Sequence, residues 1–127
     1  MRAIVVFLLT STLLLGCKKE DVAPIKRIVE YKLIDDGSNS RFYNITFRNE
    51  TGGTTSISQS LDIKGVWSVK VSSQVGQTFY LAAQAGGPGS GSQFQIQAYV
   101  DGKLVQTSSV VYSFTTTGPI VVSGEVK

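Results

Sequence analysis

The sequence predicts an all-β domain of seven or eight short antiparallel strands, arranged as two facing sheets or a small barrel. Three observations carry that expectation. No segment repeats its apolar residues at helical spacing, and short runs alternate with a period of two instead. The runs are separated by clusters of Gly, Asn, Asp and Ser, the residues that turns select. The chain has 127 residues, enough for one ordinary domain behind a short N-terminal stretch and too few for two.

The first strand is read over 28–34 and closed by Asp35-Asp36-Gly37-Ser38-Asn39-Ser40. Tyr43, Ile45 and Phe47 then alternate with Asn44, Thr46 and Arg48, and Asn49-Glu50-Thr51-Gly52-Gly53 makes the turn. Ile57, Leu61 and Ile63 share one parity; Trp67, Val69 and Val71 follow, separated by Ser68 and Lys70. In Phe79-Tyr80-Leu81-Ala82-Ala83 either face can point inward. The cleanest alternation is 93–100, with Phe94, Ile96, Ala98 and Val100 inward and Gln93, Gln95, Gln97 and Tyr99 outward. Asp101-Gly102 signals a two-residue hairpin, because both turn positions favour positive φ. Residues 103–111 return antiparallel, Thr115-Thr116-Thr117-Gly118-Pro119 turns again, and 120–126 supply the last strand. Phe94, Ile96, Trp67, Val69, Ile45 and Phe47 are expected at the centre of the core, with Trp67 the largest contributor.

Charge and composition exclude several function classes. The formal net charge is +3, but the excess lies before Glu30, where Arg2, Lys18, Lys19, Lys26 and Arg27 outnumber Glu20 and Asp21. From Glu30 onward seven cations meet seven anions. A neutral domain lacks the clustered positive charge that phosphate backbones need, so nucleic acid is not an expected partner. There is no histidine, and Cys17 is the single cysteine. Disulfide scaffolds, His/Cys zinc sites, Cys–His nucleophiles and Ser–His–Asp triads are therefore ruled out.

The N-terminus reads as a secretory leader. Met1 and Arg2 precede the apolar run 3–15, and Gly16 stands before Cys17. The run is shorter than the roughly 20 residues of a membrane-spanning helix. Leu14-Leu15-Gly16-Cys17 resembles the bacterial lipobox, in which the cysteine is diacylated and becomes the new N-terminus. Two or three acyl chains anchor a protein stably where one does not. Cys17-Lys18-Lys19-Glu20-Asp21 is similar to the export signal of Bacteroidetes surface lipoproteins, with Lys19, Glu20 and Asp21 as the signal residues; a plain mixed-charge tether is the alternative. The expected organisation is a signal peptide over 1–16, a lipidated cysteine and flexible tether over 17–27, and a β-sandwich over 28–127.

Candidate chemistry is sparse. Asp35-Asp36-Gly37-Ser38-Asn39-Ser40 is rich in oxygen ligands, but it lacks the spacing and bidentate glutamate of an EF-hand, and tight turns select the same residues. Gly86-Gly87-Pro88-Gly89-Ser90-Gly91-Ser92 is followed by a strand rather than by the helix a phosphate loop requires. Asn44-Ile45-Thr46 and Asn49-Glu50-Thr51 match glycosylation sequons, a pattern with little force behind a bacterial leader. Gln93, Gln95, Gln97 and Tyr99, extended by Tyr80 and Gln84 if their strand is a neighbour, form an amide-and-aromatic face. Such a face can bind a glycan or a peptide, or simply stay solvated. The carboxylates are scattered, and no histidine activates the many Ser and Thr residues, so neither catalysis, a cofactor nor a bound metal is expected.

A wider resemblance rests on Val29-Glu30-Tyr31-Lys32-Leu33, Ile45-Thr46-Phe47-Arg48-Asn49 with Gly52-Gly53-Thr54, and Val66-Trp67-Ser68. It continues through Tyr80-Leu81-Ala82-Ala83-Gln84 and Gln97-Ala98-Tyr99-Val100-Asp101-Gly102-Lys103-Leu104-Val105. Across nearly the whole domain this pattern resembles the soluble domain of the mycobacterial membrane protein small (MmpS) family. The resemblance implies an immunoglobulin-like β-sandwich and a role as accessory to RND-type lipid or siderophore exporters. The chain differs from that family in its lipid-type leader and in having no cysteine after Cys17. The expectation is a non-catalytic outer-membrane lipoprotein, surface-exposed or periplasm-facing and held through lipid on Cys17. Its domain docks onto an envelope protein or transporter; the alternative is a surface glycan-binding module.

Overall fold

The computed structural model describes residues 22–35, 41–58, 61–62, 65–86, 93–111 and 118–127. They form nine strand segments: β1 (Lys26–Asp35), β2 (Arg41–Arg48), β3 (Thr54–Ile57), β4 (Leu61–Asp62), β5 (Val66–Gln74), β6 (Thr78–Gly86), β7 (Gln93–Val100), β8 (Lys103–Val111) and β9 (Ile120–Glu125). Sheet A runs β5-β1-β7-β8, and sheet B runs β3-β2-β6-β9 with β4 also on β2. Every pairing is antiparallel, and among the described residues there is no helix. The result is a β-sandwich.

Alternation builds sheet A. Val29, Tyr31 and Leu33 of β1 and Phe94, Ile96, Ala98 and Val100 of β7 point inward and are buried. They meet Phe42, Ile45, Phe47, Phe79, Leu81, Ala83, Ile120 and Val122 from sheet B. Aromatic pairs cross between the layers: Phe42 stands edge-on to Phe94 with centroids 5.3 Å apart, and Tyr31 lies 5.8 Å from Phe47. Fully burying a side chain of this size contributes roughly 1.5–3 kcal/mol. Tyr31 keeps its hydroxyl satisfied inside the core, because the Tyr80 N–H donates to it at 3.3 Å.

Three expectations change. Trp67 and Val69 are not central: they are only partly buried and pack against the core from β5, the edge strand of sheet A. Tyr43 does not share a face with Ile45. Asn44 adopts φ +51°, and the register between β2 and β6 slips between Tyr43 and Thr46. Two residues of β2, Asn44 and Ile45, thus stand against Ala83 alone, which is a β-bulge. The bulge turns Phe42 into the core and leaves Tyr43 exposed. Finally, β1 opens at Lys26, ahead of the expected 28, because its ladder to β5 already pairs Lys26 with Gln74.

The turns behave as their residues require. Asp101 and Gly102 have φ +48° and +78°, the left-handed pair of a two-residue hairpin. The Asn49 side chain accepts from the Thr51 N–H at 3.2 Å and the Thr51 hydroxyl at 2.8 Å, while the Asn49 N–H donates to the Gly53 carbonyl at 2.9 Å. That is how an asparagine fixes a turn. Residues 63–64 and 112–117 of the expected strand and turn segments lie outside the described residues.

Candidate functional site

The glutamine face lies on the outside of sheet A, where β7 sits between β1 and β8. Gln95, Gln97 and Tyr99 alternate with the buried Phe94, Ile96, Ala98 and Val100, so core packing on one side fixes their positions on the other. Cross-strand pairing sets two rows. One runs Ser68, Lys32, Gln97, Thr107; the next runs Lys70, Glu30, Tyr99, Leu104.

The polar groups along β7 are joined in one direction. The Tyr99 hydroxyl donates to Gln97 Oε1 at 2.7 Å, and Gln97 Nε2 donates to Gln95 Oε1 at 3.0 Å. The chain of donors ends on the Gln95 amide. Lys32 Nζ sits 4.5 Å from the Tyr99 ring centroid, close enough for a cation–π contact of about 0.5–1 kcal/mol at an exposed site. The same ammonium lies 3.8 Å from Glu30 Oε1. One face of the Tyr99 ring is therefore occupied, and the amides are already oriented by one another. Such a surface presents hydrogen-bonding groups whose orientation is already set, with Leu104 exposed beside Tyr99.

Tyr80 and Gln84 do not extend this face. They lie on β6, which pairs with β2 and β9 in the opposite sheet. There the Asn44 side-chain amide donates to Gln84 Oε1 across the bulge. Sequence parity assigns side chains to a face of a strand; it does not say which strands are neighbours.

The strand order also makes a feature that the sequence did not suggest. β8 and β9 edge different sheets and run beside each other without pairing. Along this seam the Ser123 N–H donates to Gln106 Oε1 at 2.8 Å. Open clefts of about 320 Å³ and 310 Å³ are both lined by residues of β8 and β9, the first floored by Phe79, Val100 and Gly124. In sequence Gln106 is one polar residue among Gln, Thr and Ser, so nothing marks it as a bridge.

At the N-terminal end of the sandwich, Asp101 organises the entry of the chain. Its carboxylate accepts from the Ile28 N–H at 2.9 Å and from Arg27 Nη1 at 2.9 Å. The Ile28 N–H and then the Arg27 guanidinium hold this carboxyl below the usual aspartate range. Asp35, at the other end of β1, is buried with neither carboxylate oxygen hydrogen-bonded. The remainder of that oxygen-rich stretch, 36–40, lies outside the described residues, as do 87–92 of the glycine-rich stretch. Cys17, Lys19, Glu20 and Asp21 lie outside them too. Among the described residues no three Asp, Glu, His or Cys side chains gather as a metal-binding group, and no helix is long and apolar enough to cross a membrane. No protein-family model matches the chain, and comparison with curated proteins finds no match.

Proposed function

We propose that this protein is a non-catalytic, lipid-anchored protein of the bacterial outer membrane whose β-sandwich serves as an interaction module. One observation carries the reading. The backbone is tied into the fold from Ile25, whose carbonyl accepts from the Val75 N–H at 2.9 Å. Seven residues lie between it and Cys17, and the eight residue steps span at most about 29 Å when fully extended. Acyl chains on Cys17 therefore hold the domain close to the bilayer, within reach of neighbouring envelope proteins. Lys19, Glu20 and Asp21, lying within that span, are the residues proposed to direct export to the cell surface.

The partner we propose is another envelope protein, reached through Gln93, Gln95, Gln97 and Tyr99. The MmpS resemblance names an RND-type transporter as the first candidate and an immunoglobulin-like topology as the scaffold. A sugar stacking on Tyr99 has to displace Lys32 or use the opposite ring face, and the amides it meets are already paired, which favours a protein partner over a glycan.

The anchor is tested by palmitate labelling: the parent incorporates label, and Cys17→Ser does not. The partner is tested by cross-linking the native lipoprotein and recovering transporter subunits, with capture reduced in a Gln97→Ala/Tyr99→Ala variant. Failure to capture them, together with Tyr99-dependent binding on a glycan array, replaces this reading with the glycan-binding one.

A further inference from the structure

We infer that the N-terminal end of sheet A is a lipid-contacting surface that lies down on the membrane holding the anchor. The inference rests on the lipid-anchor reading above and adds an orientation to it. Among the described residues, six exposed aliphatic side chains gather where the chain enters the fold, while Val66 and Val111 stand at the far end of sheet A. Val22 is 85% exposed and Ile25 64% exposed. Ile28, Val75, Leu104 and Val105 are exposed as well. Backbone bonds make this one surface across four strands. The Val75 N–H donates to Ile25, the Asp101 N–H donates to the Ile28 carbonyl at 2.8 Å, and Lys103 and Leu104 follow across the hairpin.

Cations are interleaved with these residues. Lys26, Arg27 and Lys103 stand at this end of sheet A, and Lys127 lines the cleft that Val105 borders. Asp101, in their midst, is paired with Arg27 at 2.9 Å, and Glu30, in the row of Leu104, with Lys32 at 3.8 Å. Glu50 accepts from the Ser72 N–H of β5 at 3.4 Å, and Glu125 lines the same cleft as Val105 and Lys127. Lys26 and Lys103, with the aliphatic side chains around them, suit an interface of phosphate headgroups above acyl chains. The tether fixes the occupant, because Val22 stands five residues from Cys17, at most about 18 Å along the chain. Anchoring leaves this end no wider choice of surface.

The test uses the acylated full-length protein in vesicles of phosphatidylethanolamine and phosphatidylglycerol. With Cys17 lipidated, an introduced cysteine is the only free thiol. Leu104→Cys and Val111→Cys place a fluorophore at opposite ends of β8, about 20 Å apart at the rise of a strand. A quencher carried on lipid headgroups should quench the label at 104 several-fold more than the label at 111. Adding Lys26→Glu and Lys103→Glu should bring the first value down toward the second while flotation with vesicles persists. Equal quenching at both positions in protein that floats overturns the orientation and leaves the anchor standing. Protein that does not float overturns the anchor reading and this inference with it.

Discussion

In sheet A, β1 runs in unbroken register with nine residues of β5 on one side and seven of β7 on the other. In sheet B, β2 meets β6 across a bulge, and its other neighbour is split into β3 and the two-residue β4. Both sheets bury comparable side chains, Phe94 and Leu33 from one and Phe42 and Leu81 from the other. They reach that state by different routes. In sheet A the inner strands β1 and β7 alternate strictly, and the register shift falls on the edge strand β8, where Val105 is extra between Leu104 and Gln106. In sheet B it falls on the inner strand β2, where Asn44 in a left-handed conformation swings Phe42 inward. A regular strand needs only its own pattern, and a bulged one needs a local conformation that tolerates the extra residue.

The largest effect is expected at the aromatic contact that joins the sheets. Phe94→Ala and Phe42→Ala should each lower unfolding free energy by about 3–5 kcal/mol, measured by chemical denaturation. The double variant should lose less than the sum, because the two rings share one contact. Trp67→Ala should fall below that range, since the indole is only partly buried on an edge strand. A Trp67 loss equal to that of Phe94 would restore the indole to the centre.

Next come two positions where a methyl group probes each sheet. A Cβ on Gly124 would stand 2.6 Å from Phe79 Cζ, so Gly124→Ala in sheet B should cost about 1–3 kcal/mol through overpacking. Gly102 in the sheet A hairpin has open space around it but φ +78°. There Gly102→Ala should cost about 1–2 kcal/mol through backbone strain alone. Thermal unfolding of both variants separates crowding from strain: relief by a second substitution, Phe79→Leu, is expected only for the Gly124 variant.

The smallest effects are those of pH. Burial raises the Tyr31 pKa above its usual value, against the opposing pull of the Tyr80 N–H and Arg48. The neutral phenol is therefore the form the fold prefers. Its contribution is complete below the unfolded value of about 10 and is lost as pH rises through the folded one. Tyr31→Phe should remove that alkaline loss and cost about 0.5–1.5 kcal/mol at neutral pH for the missing hydrogen bond. Asp101 works with the opposite sign. Its depressed pKa stabilises the fold above about 3.9 and ceases to do so as pH falls through the folded value. Asp101→Asn should flatten the acid limb of melting temperature against pH.

Sheet A was largely legible in the sequence. The 93–100 alternation gave the inward and outward sets of β7, and Asp101-Gly102 gave the hairpin. Phe42 was hidden because a bulge reverses parity, and Asn44 is an ordinary polar residue until its φ is known. The face of β6 was ambiguous because Ala82 is buried on the outer side, flanked across the ladder by Thr46 and Val121. Small side chains are screened by taller neighbours that parity cannot see. Trp67 looks central by its size, but strand order decides which strands lie at the edge, and β5 is one of them. For the candidate site, parity placed Gln95, Gln97 and Tyr99 together. The company of Lys32 and Glu30, and the exclusion of Tyr80 and Gln84, came from strand order alone.

The position of β1 has a mechanical consequence. The first strand of the domain is an inner strand, flanked on both sides by hydrogen-bonded partners. A pull on the N-terminus along the strand axis strains both ladders at once, in shear, so they must yield together. Had the chain entered through β5 or β8, a transverse tug could peel one edge strand away bond by bond. A domain threaded in this way suits a chain gripped at one end while something else draws on its body.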